Sequence, residues 1–238
     1  NLLDTPGFNI FINDTKAALA AADGSLILID SVAGVEVQTE KVWGFANEFK
    51  LPRAFVLNKL DRENASFERA LASVHENFGR AAVPVQLPLG AERDFRGVVD
   101  LVTMKAYAYE PGGSGKGKEE PVPAELAESA QKAQEALIEM VAEGNDALME
   151  EFFEKGTLPP ERLIEGLRAA VREMRLFPVL CASGLNNIAA DLVLDFIVDY
   201  LPAPVEREPL TAHLDGQEVT RRIADDERPA LDRADGTL

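Results

Sequence analysis

Three apolar runs of five or six residues, Ser25 to Asp30 (SLILID), Arg53 to Asn58 (RAFVLN) and Phe177 to Cys181 (FPVLC), are separated by stretches of helical periodicity, and a shorter apolar pair, Leu2-Leu3, precedes them. Such runs have almost no polar alternation, so as strands they must be covered on both faces, the condition of a parallel sheet flanked by helices. The predicted fold class is therefore α/β. Between the first two of these runs, Val42, Phe45, Ala46 and Phe49 recur at helical spacing before Pro52. Ser66 is a candidate N-cap for a helix bearing Phe67, Leu71, Val74 and Phe78, with Gly79 at its C-terminal cap. Asn186 or Asn187 is predicted to cap a last helix whose stripe is Ile188, Leu192, Val193, Phe196, Ile197 and Tyr200. The opening residues, Asn1 followed at once by Leu2-Leu3, read as the inside of a structural element, with a strand ending at Asp4.

From about Ala82 to Arg175 the rhythm changes. Two extended candidates, Pro84 to Leu89 and Gly97 to Tyr109, lead into a Gly/Lys-rich loop at Pro111 to Lys118, and helices divided by Gly144, Gly156 and Pro159-Pro160 follow from about Pro123 to Met174. The reading is an α+β insert. Beyond Pro202, Pro204 and Pro209, Thr211 to Ile223 has strand character around Asp215-Gly216 and predicts a hairpin or the first strands of another domain, whereas residues 224–238 are too polar to assign. The expected organisation is 1–81 and 176–204 forming one α/β domain, 82–175 inserted into it, and 205–238 a linker and the start of a β domain.

Composition narrows the function classes. The 238 residues carry 24 Lys and Arg against 41 Asp and Glu, a formal net charge of −17, which disfavours autonomous nucleic-acid binding. No apolar stretch approaches the length of a membrane span. The single cysteine, Cys181, cannot form an internal disulfide, so a reducing, cytoplasmic setting is expected. Cys181 itself, ending an apolar run, reads as a small core residue. His75 and His213 lack partners that suggest a metal or a triad, and the acidic run Glu139 to Glu154 reads as a solvated helix face.

The chemistry-bearing segments stand at strand ends, where open α/β sheets bind their ligands. Asn58-Lys59-Leu60-Asp61 follows the second long run. A carboxylate there can accept from both N1–H and the N2 amine of guanine, whereas adenine offers no such donor pair, and a site built on those bonds rejects the analogue lacking them. Asn58 can serve the other base edge or tie loops together, and the stem of Lys59 can lie on the ring. The plain alternative is a polar turn. Asp4-Thr5-Pro6-Gly7 offers a glycine N–H to a terminal phosphate and a carboxylate to the water shell of Mg²⁺, or else an ordinary β-turn. Ser183-Gly184-Leu185 follows the last run, with small residues whose N–H groups can face a base carbonyl.

In this order, D-T-P-G, N-K-L-D and S-G-L resemble the third, fourth and fifth motifs of the translational GTPases, the closer match being elongation factor G and its paralogues. Ala22-Asp23-Gly24, Gly34 to Glu40 with Trp43, Gln86 to Gly90, Phe95 to Leu101 and Val198 to Pro204 extend the resemblance over about residues 1 to 209. It implies an incomplete P-loop GTPase domain with an inserted subdomain. It further implies GTP/GDP and Mg²⁺ as ligands and the ribosome as partner, with stalk proteins of the ribosome as a further partner through the insert. Asp61 would select guanine, supported by Asn58, Lys59 and Leu60. Ser183, Gly184 and Leu185 would meet the base carbonyl, Asp4, Thr5, Pro6 and Gly7 the γ-phosphate, and Asp4 a Mg²⁺-bound water.

Two departures qualify this. No phosphate-cradling G-x-x-x-x-G-K-[ST] occurs. Gly112 to Gly117 has Gly117 where the Ser or Thr belongs and reads as a solvated loop, so the sequence is expected to be a segment of a longer chain, binding nucleotide weakly by itself. Second, Phe8 stands where the resembled family usually has the histidine that positions the attacking water. Phenylalanine has neither donor nor acceptor, so impaired hydrolysis is expected. The rival reading is a catalytically impaired paralogue acting as an interaction module through its acidic insert. A small-molecule kinase is disfavoured by N-K-L-D.

Overall fold

A computed structural model describes residues 1–206, 210–214 and 217–221. The chain divides into two compact units, Asn1–Leu201 and a second beginning at Pro202. In the first, strands β1 (Ser25–Asp30), β2 (Arg53–Asn58), β3 (Ala82–Pro84) and β8 (Phe177–Cys181) form a parallel sheet in the order β1-β2-β8-β3. β2 and β8 lie in its middle and are buried along nearly their whole length, as their unbroken apolar runs require. Their side chains sort by parity. Ala54, Val56, Leu180 and Ala182 face a core closed by α4 (Ala124–Ala142), α6 (Pro160–Arg172) and α7 (Ala190–Tyr200); Phe55, Leu57, Val179 and Cys181 face a second core with α3 (Phe67–Phe78). Period-two alternation thus serves two hydrophobic layers.

Local signals account for most element ends. Ser66 Oγ accepts the Arg69 N–H at 3.2 Å, and Gly79 follows α3 with φ of 86°, a conformation glycine adopts without penalty. His75, on this helix, donates from Nε2 to the Ala82 carbonyl at 2.8 Å. Gly144, Gly156 and Pro159-Pro160 separate α4, α5 (Asp146–Lys155) and α6 as predicted.

Four expectations are corrected. Leu2-Leu3 forms no strand: residues 1–7 have no regular structure and the two leucines are 68% and 63% exposed, because an extended pair without a hydrogen-bonded neighbour gains nothing from strand geometry. D-T-P-G accordingly follows no strand here. Pro84 to Leu89 is not one strand. Val85 donates to Val179 and accepts from Leu101, and there the chain leaves the parallel sheet to begin β4 (Gln86–Leu89) of a second sheet. Gly97 to Tyr109 is a hairpin, β5 (Gly97–Asp100) and β6 (Lys105–Ala108), because Asp100 Oδ1 captures the N–H groups of Val102 and Thr103 and the Thr103 hydroxyl. Last, α7 starts at Ala190, since Asn186 and Ile188 are engaged in the preceding loop.

The second sheet is antiparallel, β4-β5-β6-β7, with β7 (Lys118–Glu120) a charged edge strand that apolar patterning does not reveal. Gly97 is required by close approach: a Cβ there would lie 2.0 Å from the Tyr107 carbonyl oxygen. Gln86, 3% exposed, joins the two sheets by accepting the Cys181 N–H at 3.0 Å. Gln86→Leu is expected to strand that N–H and to lower stability by about 1–3 kcal/mol in urea unfolding.

Three further features were not legible beforehand. Helix α1 (Ile12–Ala20) buries only Thr15 and Leu19. Arg53 is 1% exposed, its guanidinium 4.1 Å from the Trp43 ring and bonded to Trp43 O and Asn47 Oδ1; burial lowers its pKa to about 10, so it remains charged at neutral pH. Trp43 also stacks on Phe55 and Phe78, fixing α2 (Val37–Glu48) against the sheet. In the second unit, β9 (Leu210–Leu214) and β10 (Gln217–Arg221) pair antiparallel with Gln217 opposite Leu214; the turn at Asp215-Gly216 and residues 224–238 lie outside the described residues.

Candidate functional site

At the carboxyl end of the parallel sheet, three strand ends converge through Asn58. Asp30 and Asn58 are register partners, and Ser31 binds the Asn58 carbonyl twice, through N–H at 3.0 Å and Oγ–H at 2.8 Å. The Asn58 side-chain oxygen accepts from Lys59 N–H at 2.8 Å and from Gly184 N–H at 2.9 Å, joining the loop after β2 to the loop after β8. Asn58→Ala removes both bonds, and a loss of about 1–2 kcal/mol by chemical denaturation is expected.

Lys59 has φ of 64°, the left-handed region that non-glycine residues seldom occupy, and its ammonium reaches Asp30 Oδ2 at 2.6 Å. Partial burial acts to raise the Asp30 pKa, but the Lys59 ammonium and the backbone N–H of Val32 outweigh it and hold the carboxyl below its usual range. Arg62 Nη1 lies 3.6 Å from the same oxygen. Strain at Lys59 is thereby held at a strand end, pinning its stem along the rim of the site.

Asp61 and Ser183 are brought together by Asn186. The Asn186 amide donates to Asp61 Oδ2 at 2.9 Å, and its backbone N–H donates to Ser183 Oγ at 3.2 Å. Ser183 is fully buried, and its backbone closes a loop with Ile188 through two hydrogen bonds. Leu60 is buried beneath, while Gly184 and Leu185 are exposed at the loop tip. Asp61 Oδ1 is buried with no hydrogen-bond partner among the described residues. A charged acceptor in that condition costs free energy unless a ligand donor meets it.

The D-T-P-G segment stands apart from this hydrogen-bonded group. Thr15 Oγ–H donates to Pro6 O, which ties the segment to α1, and just beyond it Lys41 of α2 donates to Asn9 Oδ1. Asp4, Gly7 and Phe8 are exposed, Phe8 by 77%. Among the described residues no group of three or more His, Cys, Asp or Glu gathers around one point. Gly112 to Gly117 lies between β6 and β7, not between a strand and a helix, as expected for a loop without phosphate-cradling geometry.

Sequence reasoning missed Asp30, Ser31, Arg62 and the role of Asn186. Asp30 was discoverable, since SLILID and RAFVLN both end on a polar residue at the same depth of the sheet.

A family model for the elongation factor Tu GTP binding domain matches residues 1–203. The chain belongs to this family. It is 36% identical over 227 residues to elongation factor G of Mycoplasma genitalium and 37% identical, over the same length, to elongation factor G of Mycoplasma pneumoniae; each match covers 95% of this chain and 33% of the relative. The chain thus spans about a third of the length of these curated relatives. A crystal structure of a Thermus thermophilus protein superposes with a TM-score of 0.79 at 34% identity, over 88% of this chain and 32% of that one. The chain is an α/β member of the elongation factor Tu GTP binding domain family, similar to elongation factor G, and among its described residues no helix is long and apolar enough to cross a membrane.

Proposed function

We propose that this chain is the guanine-recognising part of an elongation factor G-like GTPase that acts on the ribosome. The observation that carries the reading is the buried Oδ1 of Asp61, without a hydrogen-bond partner among the described residues, beside an Oδ2 that already holds Asn186 and has a second lone pair. Two carboxylate oxygens with open acceptor capacity at a strand end match the N1–H and N2 amine of guanine. Asn58, Lys59 and Leu60 support the base; the Ser183–Leu185 loop meets its carbonyl at the exposed tip formed by Gly184 and Leu185, the Ser183 N–H being bonded to Ile188 and the Gly184 N–H to Asn58; and Asp4, Thr5, Pro6 and Gly7 face the γ-phosphate. When bound, Mg²⁺ offsets charge on the phosphates, with Asp4 holding one of its waters.

The elongation factor G likeness supports coupling of GTP hydrolysis to translocation or a related ribosomal step. The domain reading is 1–81 with 176–204, an insert at 82–175 that offers an acidic surface to ribosomal stalk proteins, and 205–238 a linker and the start of a β domain. Phe8 favours a second reading, a catalytically impaired paralogue acting as a non-enzymatic interaction module through its acidic insert. Competition against a fluorescent GDP in the full-length protein tests the guanine assignment: ADP is expected to compete at least roughly 10³-fold more weakly than GDP. Comparable competition would remove the basis for it.

A further inference from the structure

The antiparallel sheet sends three separate ties to the loops that carry Asp61 and Ser183. From the β4–β5 connection, Glu92 Oε1 accepts the Asn64 N–H at 2.9 Å, just beyond Asp61. From β4 itself, Gln86 holds the Cys181 N–H, two residues before Ser183. From the β6–β7 connection, the Tyr109 hydroxyl donates to Asp191 Oδ1 and the Gly117 N–H donates to Asp191 Oδ2 at 2.9 Å, three residues after the Ser183–Ile188 loop closes. The loop bearing Ser183 is therefore anchored on both flanks by one sheet.

The third tie is built for its place. Tyr109 is 7% exposed, and its burial together with Asp191 pushes the phenol's ionisation well above the usual range, so it remains an O–H donor. Asp191 also accepts the Leu192 N–H at 2.9 Å, which fixes its carboxylate in the first turn of α7. Glycines let the opposing loop lie close. A Cβ on Gly117 would be 2.8 Å from the Tyr109 hydroxyl oxygen, and one on Gly115, at φ of 75°, would be 1.9 Å from the Asn187 amide nitrogen. Neither Tyr109 nor Asp191 belongs to the three motifs.

We propose that Tyr109 and Asp191 are positioning residues through which the antiparallel sheet holds the Ser183–Leu185 loop in register with Asp61, and so set the residence time of the guanine nucleotide. The inference rests on the guanine reading above. Hydrogen bonds to a carboxylate are among the stronger polar contacts, and loss of one at the flank of a short closed loop removes one of the ties that fix it.

The test uses the full-length protein and fluorescent GDP in stopped-flow release. Tyr109→Phe removes one donor with little change in shape. Asp191→Asn keeps the shape but replaces one of two acceptors with a donor. Both are expected to release GDP roughly tenfold faster, while inorganic pyrophosphate, which lacks a base, competes as well as against the unaltered protein. Release within twofold of the unaltered rate in both variants overturns the proposal, as does equal weakening of pyrophosphate, which marks general loosening. Asp61→Asn separates this from the parent reading. If it abolishes guanine preference while Tyr109→Phe and Asp191→Asn release GDP normally, only the positioning role fails. If Asp61→Asn leaves the preference intact, the guanine reading falls and this inference with it.

Discussion

Asp61→Asn is expected to lower the affinity of the full-length protein for GTP by roughly 10²-fold or more and to transfer its preference to xanthosine triphosphate. The carboxylate offers acceptors only, and the proposed partner offers two donors; converting one oxygen to an NH₂ sets donor against donor. Charge-assisted bonds of this kind contribute about 1.5–3 kcal/mol each, which gives the magnitude. Xanthine carries a carbonyl where guanine carries its N2 amine, so the new amide regains a partner there. Asn186 donates to Asp61 Oδ2, and an asparagine at 61 can keep an oxygen toward it, so the loop pairing is expected to survive. Competition of GTP and XTP against a fluorescent nucleotide reads both changes. Unchanged GTP affinity would show that the orphaned Oδ1 has a purpose other than base recognition.

Phe8→His is expected to raise single-turnover GTP hydrolysis by roughly 10²-fold, within the range that a positioned proton-transferring or water-orienting group contributes. Phe8 is 77% exposed and opens a short 3₁₀ turn in which its carbonyl accepts the Phe11 N–H at 2.9 Å. The backbone of that turn makes no demand on the side chain, so the substitution is compatible with the fold. A histidine there gains the donor and acceptor that phenylalanine lacks. Equal rates for the two proteins, measured with GTP-loaded enzyme at limiting nucleotide, would mean that water is oriented by other groups and that Phe8 is an apolar element of the loop. On the proposed reading, the two substitutions probe separate ends of the nucleotide, the base through Asp61 and the γ-phosphate through position 8.

Much of the site was legible because its groups sit in short contiguous segments at strand ends. N-K-L-D and S-G-L each follow a short apolar run, and the alternation of such runs with stretches of helical periodicity marks them as covered strands. What escaped were contributions made across elements. Asp30 is an ordinary strand-end residue until the register sets it opposite Asn58. Asn186 resembles a helix cap until the Ser183–Ile188 pairing turns its amide onto Asp61. Leu2-Leu3 failed as a strand for the converse reason: apolar content supplies burial but not a hydrogen-bonding neighbour.

By itself, the sequence determined the α/β class, the covered central strands, the caps of α3, the division of the insert helices and the order of the three motifs, because each rests on local periodicity or on residues adjacent in the chain. Tertiary structure alone decided the strand order β1-β2-β8-β3, the change of sheets at Val85, the burial of Arg53 among aromatic rings and the anchoring of the Ser183 loop by Tyr109 and Asp191. Those features join residues about a hundred positions apart or more, as in the Gln86 to Cys181 bond and the pairing of Phe55 with Val179, and no local pattern encodes which distant donor will meet a given acceptor. That pairing is set only when the two cores form and the sheets are packed against each other.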